Sequence, residues 1–233
     1  MNERLTNLNM CGIVGIFDPR SSSENQKNKI KNCLSISNHR GPDENGIFTD
    51  EKNHFTMGMN RLSILDIKNG QQPLFSQDGR YCIIFNGEIV NSEDLKIKLK
   101  KKGITFKTKN SDTEVLLYML ITFGESCLKD LNGMFAFCFY DLLKREIFLA
   151  RDRFGIKPLY FFFKSNVFAF ASELKTLTTL YENQLEINNQ SFSDYLSLMY
   201  IPSPNTIFKN IFKLAAGEKI NFELDEKKIV IKK

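Results

Sequence analysis

The sequence predicts an α+β domain in which two β-sheets stack and helices flank them. Three observations carry this expectation. Strand-like runs fall into two groups, residues 11–17, 55–65 and 81–86, then 134–140, 147–151, 159–163 and 167–171. Most are rich in Phe, Ile and Val and bounded by Gly, Asp or Pro. Two helical patterns separate the groups, and no internal repeat or low-complexity tract interrupts the chain.

Taken in order, residues 11–17 (Cys11-Gly12-Ile13-Val14-Gly15-Ile16-Phe17) form a short apolar strand, and a weaker helical pattern covers residues 26–37. The first clear helix, residues 92–102, opens with Ser92-Glu93-Asp94, carries Leu95 and Leu99 at i,i+4 and stops at Gly103. The second, residues 113–123, follows Ser111-Asp112 as a cap and stops at Gly124. From residue 173 the character changes. Residues 192–199 are helix-like, Ile201-Pro202-Ser203-Pro204 is a stiff connector, and two short strands close the sequence. This stretch has too few core positions to fold alone.

Composition narrows the class. The 233 residues suffice for one large domain or two small ones, and 42% hydrophobic with 25% charged residues is ordinary for a globular chain. Twenty-one Phe supply an aromatic core. A net charge of +5, from 32 basic and 27 acidic residues, is too balanced to imply a nucleic-acid partner. No apolar stretch reaches the ~18 residues of a membrane span. Residues 1–10 lack the apolar segment of a secretory signal. The five Cys show neither metal nor disulfide spacing, so Cys33, Cys82, Cys127 and Cys138 are expected as core thiols in a reducing cytoplasm.

Cys11 stands apart. It directly follows Met10, so removal of the preceding residues would make it N-terminal. It would then carry a thiol nucleophile and a free α-amine with an ordinary pKa near ~8, able to act as its base. The bland alternative is a small buried residue at a strand start. Other segments hold polar residues that propensity does not explain: the turn-rich residues 39–46, Arg61 inside an apolar strand, Asn86-Gly87-Glu88 where a strand ends, and Ser111-Asp112 at a helix start. Each also has a structural reading, with Arg61 in an ion pair, Asn86-Gly87 as a hairpin turn and Asp112 as a cap. Together they could recognise an α-amino acid and hydrolyse its side-chain amide. Arg holds a carboxylate with two parallel hydrogen bonds, Glu and Asp hold an ammonium, and an Asn amide with a Gly N–H makes an oxyanion hole. Neither His39 nor His54 lies in a motif for a Cys–His pair.

The motifs Cys11-Gly12-Ile13-Val14-Gly15, residues 39–46, residues 61–66, Asn86-Gly87-Glu88-Ile89, Ser111-Asp112-Thr113-Glu114, residues 131–137 and residues 150–160 occur in an order and spacing that resembles a known family. It is the class II glutamine amidotransferase (glutaminase) domain of glutamine-hydrolysing asparagine synthetases of the B type, and the resemblance covers about residues 10–222. It implies a four-layer αββα sandwich of the N-terminal-nucleophile hydrolase type. It implies Cys11 as nucleophile, Asn86 and the Gly87 N–H as oxyanion hole, Arg61 with backbone groups of Leu62, Ser63 and Ile64 at the glutamine α-carboxylate, and Glu88 and Asp112 at the α-ammonium. Arg40 and Asp43 are expected to support Cys11. The chain departs from the family at Val90, where Tyr is usual, and at Leu214-Ala215-Ala216-Gly217, where Leu-Pro-Pro-Gly is usual.

The expected organisation is therefore an N-terminal extension or mis-assigned start over residues 1–10, the glutaminase domain over 11–190, and over 191–233 a connector that begins a missing ATP-dependent synthetase domain. The implied activity is hydrolysis of glutamine to glutamate and ammonia for asparagine synthesis. No metal or cofactor serves that step, and ATP and magnesium belong to the missing domain. Partners would be glutamine and a separate or lost synthetase domain, with self-association as the alternative, no nucleic acid and no membrane, in the cytoplasm. Two other readings stay open: an amidotransferase domain serving an aminosugar or phosphoribosyl acceptor, and a catalytically inactive remnant.

Overall fold

The computed structural model describes residues 10–62, 70–181 and 185–233. Two six-stranded sheets form the frame. The first contains β1 (Gly12–Phe17), β2 (Glu44–Asp50), β3 (Phe55–Arg61), β8 (Tyr160–Lys164), β9 (Val167–Ala171) and β10 (Ile211–Lys213), in the order β10-β8-β9-β1-β3-β2. The second contains β4 (Leu74–Phe75), β5 (Tyr81–Ile89), β6 (Gly133–Asp141), β7 (Glu146–Arg151), β11 (Lys219–Glu223) and β12 (Lys228–Lys232), in the order β12-β11-β7-β6-β5-β4.

Between the sheets lies a core of Phe17, Phe55, Tyr140, Phe168, Phe170 and Phe222 with smaller apolar neighbours. Outside the second sheet, α2 (Ser92–Lys100) and α3 (Asp112–Phe123) bury Leu95, Leu99 and Leu116 against Ile83 and Phe137. Outside the first, α1 (Ser23–Ile36) and α4 (Leu174–Leu180) bury Ile30, Leu34 and Leu177 against Val14, Ile16 and Ala169. The result is four layers, αββα, which is the fold class expected from the motifs.

Local sequence explains the elements nearest the site. Strand β1 is covered on both faces, so it reads as an unbroken apolar run and all six residues are buried. Gly15 is required there, since a Cβ would lie 2.4 Å from the Phe170 ring. Helix α3 is buried from Asp112 to Leu120 and, after its polar first turn, apolar on every side from Val115 to Ile121, as fits a helix inside a layer rather than on its surface.

Several boundaries differ from the sequence reading. Residues 44–46, read as part of a turn-rich loop, open β2, which runs to Asp50 because it pairs along the whole of β3. Strand β5 runs on through Asn86-Gly87-Glu88 to Ile89, paired with β6 throughout, so Asn86-Gly87 is no hairpin turn. The cap of α3 is Ser111, whose hydroxyl accepts from the Glu114 N–H at 3.3 Å, while Asp112 is the first helical residue. Residues 211–232, read as two short closing strands beyond the glutaminase domain, form three strands that join both sheets. There β10 pairs with β8 and β11 with β7, burying Ile211, Ile220 and Phe222. These strands bury their core face only against the rest of the sandwich. Cys33, Cys82, Cys127 and Cys138 are buried free thiols. No described helix is long and apolar enough to cross a membrane.

Candidate active site

The antiparallel register brings the site together at one end of the sandwich. Gly12 pairs with Asn60, so Cys11 meets the end of β3. The Cys11 Sγ accepts from the Leu62 N–H at 3.4 Å. Behind it, Arg40 Nε donates to the Cys11 carbonyl at 3.1 Å, and Arg40 Nη1 and His39 Nε2 both reach Glu173 Oε1, at 3.1 and 3.0 Å. Arg40 thus holds the nucleophile's backbone. His54 lies beyond the opposite end of β1, where its carbonyl accepts from the Asp18 N–H.

A cavity of about 230 Å³ opens here, lined by Cys11, Arg61, Leu62, Asn86, Gly87, Glu88 and Asp112 among others. The first sheet contributes Cys11 and Arg61, and β5 of the second contributes Asn86, Gly87 and Glu88. Asp112 comes from the N-terminus of α3. The expected site residues within the described segments therefore share one cavity; Ser63 and Ile64 lie outside those segments, as do residues 1–9.

One buried polar group of the cavity is incomplete. Asn86 is 1% exposed, yet its side-chain nitrogen has no hydrogen-bond partner among the described residues. Gly87 tolerates no side chain, because a Cβ would sit 2.3 Å from the Met134 carbonyl oxygen. Arg61, buried at the end of β3, places Nη1 2.7 Å from Glu44 Oε2. Asp112 accepts from the Ile89 N–H at 3.0 Å. Burial pushes its carboxyl above the ordinary range, as does the nearby Glu88 charge, against the pull of the Ile89 and Thr113 N–H groups. Burial also pushes the Cys11 thiol up, opposed by the Leu62 N–H and the charges of Arg61 and Lys157. The cations thus act on the thiol, and the carboxylates act on each other. That polarity suits a ligand carrying both a carboxylate and an ammonium.

Three lining residues received no role from the sequence. Gln72 accepts from the Phe85 N–H at 2.7 Å and steadies β5 beside Asn86. Met134 walls the cavity from β6, and Lys157 enters from the loop between β7 and β8. A lysine after a turn carries no local signal of burial. Only the bracing of its loop, described below, reveals it. Among the described residues no cluster of three or more His, Cys, Asp or Glu side chains is arranged to hold a metal ion.

Residues 10–233 match the glutamine amidotransferase domain family. The chain belongs to that family. Within it, the domain is 41% identical to glutamine-hydrolysing asparagine synthetase 1 of Bacillus subtilis, over 93% of this chain and 34% of that protein. It is 38% identical to a putative glutamine-hydrolysing asparagine synthetase 2 of Methanocaldococcus jannaschii, over 94% of this chain and 45% of that protein. The amidotransferase domain thus spans less than half the length of these relatives. In fold it is similar to the glutamine phosphoribosylpyrophosphate amidotransferase of Bacillus subtilis, with a TM-score of 0.67, 20% identity, and 96% of this chain and 49% of that chain covered. This likeness speaks to the layered sandwich alone.

Proposed function

We propose that this domain hydrolyses glutamine to glutamate and ammonia, with Cys11 as nucleophile after the residues before it are removed. The observation that carries the reading is the buried Asn86 amide nitrogen, without a partner among the described residues, in the same cavity as the Cys11 thiol. A buried donor left unpaired costs about 1–3 kcal/mol, and an oxyanion would satisfy it.

In the proposed sequence Arg61 receives the α-carboxylate, and Glu88 and Asp112 receive the α-ammonium. The Cys11 α-amine takes the thiol proton as sulfur bonds to the side-chain carbonyl carbon. The oxygen becomes an oxyanion held by Asn86 Nδ2 and the Gly87 N–H. The carbon–nitrogen bond then breaks, and the amine returns its proton to the leaving ammonia. Water, deprotonated by the same amine, cleaves the thioester, freeing glutamate and restoring the thiol. No cofactor takes part in these steps.

Cys11→Ala should abolish ammonia release, while calorimetric titration still detects glutamine, because Arg61, Glu88 and Asp112 are untouched. Glutaminase activity retained in that variant would overturn the nucleophile assignment. A chain that keeps residues 1–10 should be inactive, since an amide nitrogen cannot serve as the base. Mass spectrometry of active preparations should therefore find Cys11 first.

We further infer that the ammonia serves asparagine synthesis by a synthetase unit, either in a longer protein or in a separate subunit. The names of the relatives and the share of them that this chain spans support this. So does an exposed apolar face on α5 (Asn189–Leu198) and the residues after it, where Phe192, Leu196, Leu198, Met199 and Tyr200 face solvent. Given glutamine, aspartate, ATP and magnesium, the purified chain should release ammonia without forming asparagine. It should self-associate or bind a synthetase unit, which its mass in solution would register.

A further inference from the structure

We propose that Lys157 is a positioning residue for the nucleophile, its ammonium holding the α-amine of a mature Cys11 in the unprotonated form that accepts the thiol's proton. The inference rests on Cys11 being the N-terminal nucleophile.

The loop carrying Lys157 is braced from both sides. Asp152, fully buried, accepts from four backbone N–H groups: Phe135 and Lys157 at Oδ2, at 3.2 and 2.9 Å, and Phe154 and Ile156 at Oδ1, at 3.1 and 3.0 Å. Arg151 donates to the carbonyls of Lys157, Gly155 and Leu214, at 2.7, 2.6 and 2.5 Å. Two charged side chains are thus committed to fixing the backbone from which Lys157 projects.

The ammonium at its end is poorly served. Lys157 is 8% exposed, and it forms no ion pair with a carboxylate among the described residues. Its Nζ contacts the Met10 Sδ at 3.0 Å, and a thioether is a weak acceptor. Burial pulls Lys157 below the ordinary lysine range, Arg40 adds to this, and Cys11, Asp152 and Glu88 oppose it. A buried ammonium without a counter-ion is costly. Its placement here follows from the neighbour it acts on. Met10 directly precedes Cys11, and Lys157 lines the same cavity as both, so its charge falls on the stretch where cleavage would leave the α-amine.

A cation at that point disfavours protonation of the amine and favours ionisation of the thiol. The other charges around the nucleophile are already engaged. Arg40 is bound to the Cys11 carbonyl and Glu173, and Arg61 to Glu44. Asp152 is occupied by its four N–H groups, and Glu88 and Asp112 face the expected ammonium of the substrate.

The test is the pH profile of kcat/KM for glutamine hydrolysis in the active chain, with Lys157→Met and Lys157→Arg beside the wild type. Removing the cation should raise the amine's pKa, so the acidic limb of Lys157→Met should move up by about one unit. The onset of Cys11 alkylation by iodoacetamide should move the same way, with KM above the limb little changed. Lys157→Arg should restore both profiles. If Lys157→Met does not fold, Lys157→Gln gives the same comparison. Failure of both neutral variants alongside a folded Lys157→Arg would assign the charge to the fold and overturn the proposal. A Lys157→Met profile that is lowered but not displaced would also overturn it. Activity retained in Cys11→Ala would remove the underlying reading instead, which separates the two failures.

Discussion

Two buried carboxylates, one at each end of the sandwich, behave oppositely. Asp141, at the end away from the cavity, is 5% exposed, and Asp112, in the cavity, is 6% exposed. Burial works to raise both. At Asp141 burial is outweighed by the Arg80 fork, with Nε at 3.0 Å and Nη2 at 2.7 Å, together with the Lys144 and Leu143 N–H groups, and the carboxyl falls below its ordinary range. Asp112 has no cation partner among the described residues and rises. The same end as Asp141 holds another internal set, in which Asp50 accepts from Tyr140 at 2.8 Å and from Asn53 at 2.7 Å. The difference teaches that one end is completed by the chain itself, whereas the other keeps groups that a ligand would complete.

The largest expected effect breaks the unfinished end at its orphan donor. Asn86→Ala should lower kcat roughly 10²–10³-fold with little change in KM, because an oxyanion donor acts mainly in the transition state. Steady-state kinetics decide it, and a change confined to KM would put Asn86 in ground-state binding instead. Next comes Arg61→Lys, which should chiefly raise KM, by roughly tenfold or more, since Lys cannot reproduce the planar fork. An unchanged KM would sink the carboxylate role.

The comparison itself is tested by the paired variants Asp112→Asn and Asp141→Asn. Asp112→Asn should raise the KM for glutamine roughly 10- to 100-fold, yet leave the Tm of the unliganded chain unchanged or higher. Asp141→Asn should do the reverse, costing about 2 kcal/mol, or roughly 4–8 °C in Tm, with KM unaltered. Thermal melts and kinetics on the two proteins would expose any exchange of these roles.

The smallest effect lies in the pH dependence of stability. Asp141 has a lowered folded pKa, so its contribution is present above the unfolded value of ~3.9 and is lost as pH falls through the folded value. Asp112 has a raised one, so its contribution is present below ~3.9 and is lost as pH rises through the folded value. Melting curves without glutamine should therefore show Asp141→Asn flattening the acid side and Asp112→Asn removing a decline just above it. Glutamine should cancel the latter in the wild type.

The central strands, α3 and the inventory of candidate site residues were legible in the chain, because apolar runs, caps and clustered polar residues leave local marks. Strand β2 was not. Residues 44–50 are polar and edge-exposed on one side, and only pairing with β3 makes them a strand. The end of β5 was misread for a related reason: Asn86-Gly87 has the chemistry of a turn, and β6 holds it extended. For residues 211–232 the sequence shows short strands but not where they belong, because their few apolar positions become a core only against β7 and β8. Lys157 falls within residues 150–160 without a local mark of its role, since burial of a lysine is a property of its neighbours.

By itself the sequence determined the class of fold, its central strands, the helices α2 and α3, and the residue types available for amide chemistry. These follow from side-chain periodicity and backbone preference, which act over a few residues. Only the tertiary structure decided that Cys11, Asn86 and Asp112 share one cavity, that Ser111 rather than Asp112 caps α3, and that a buried ammonium stands beside Met10. Register between strands distant in sequence sets those positions, and no local stretch encodes the partner against which a group is buried or left unpaired.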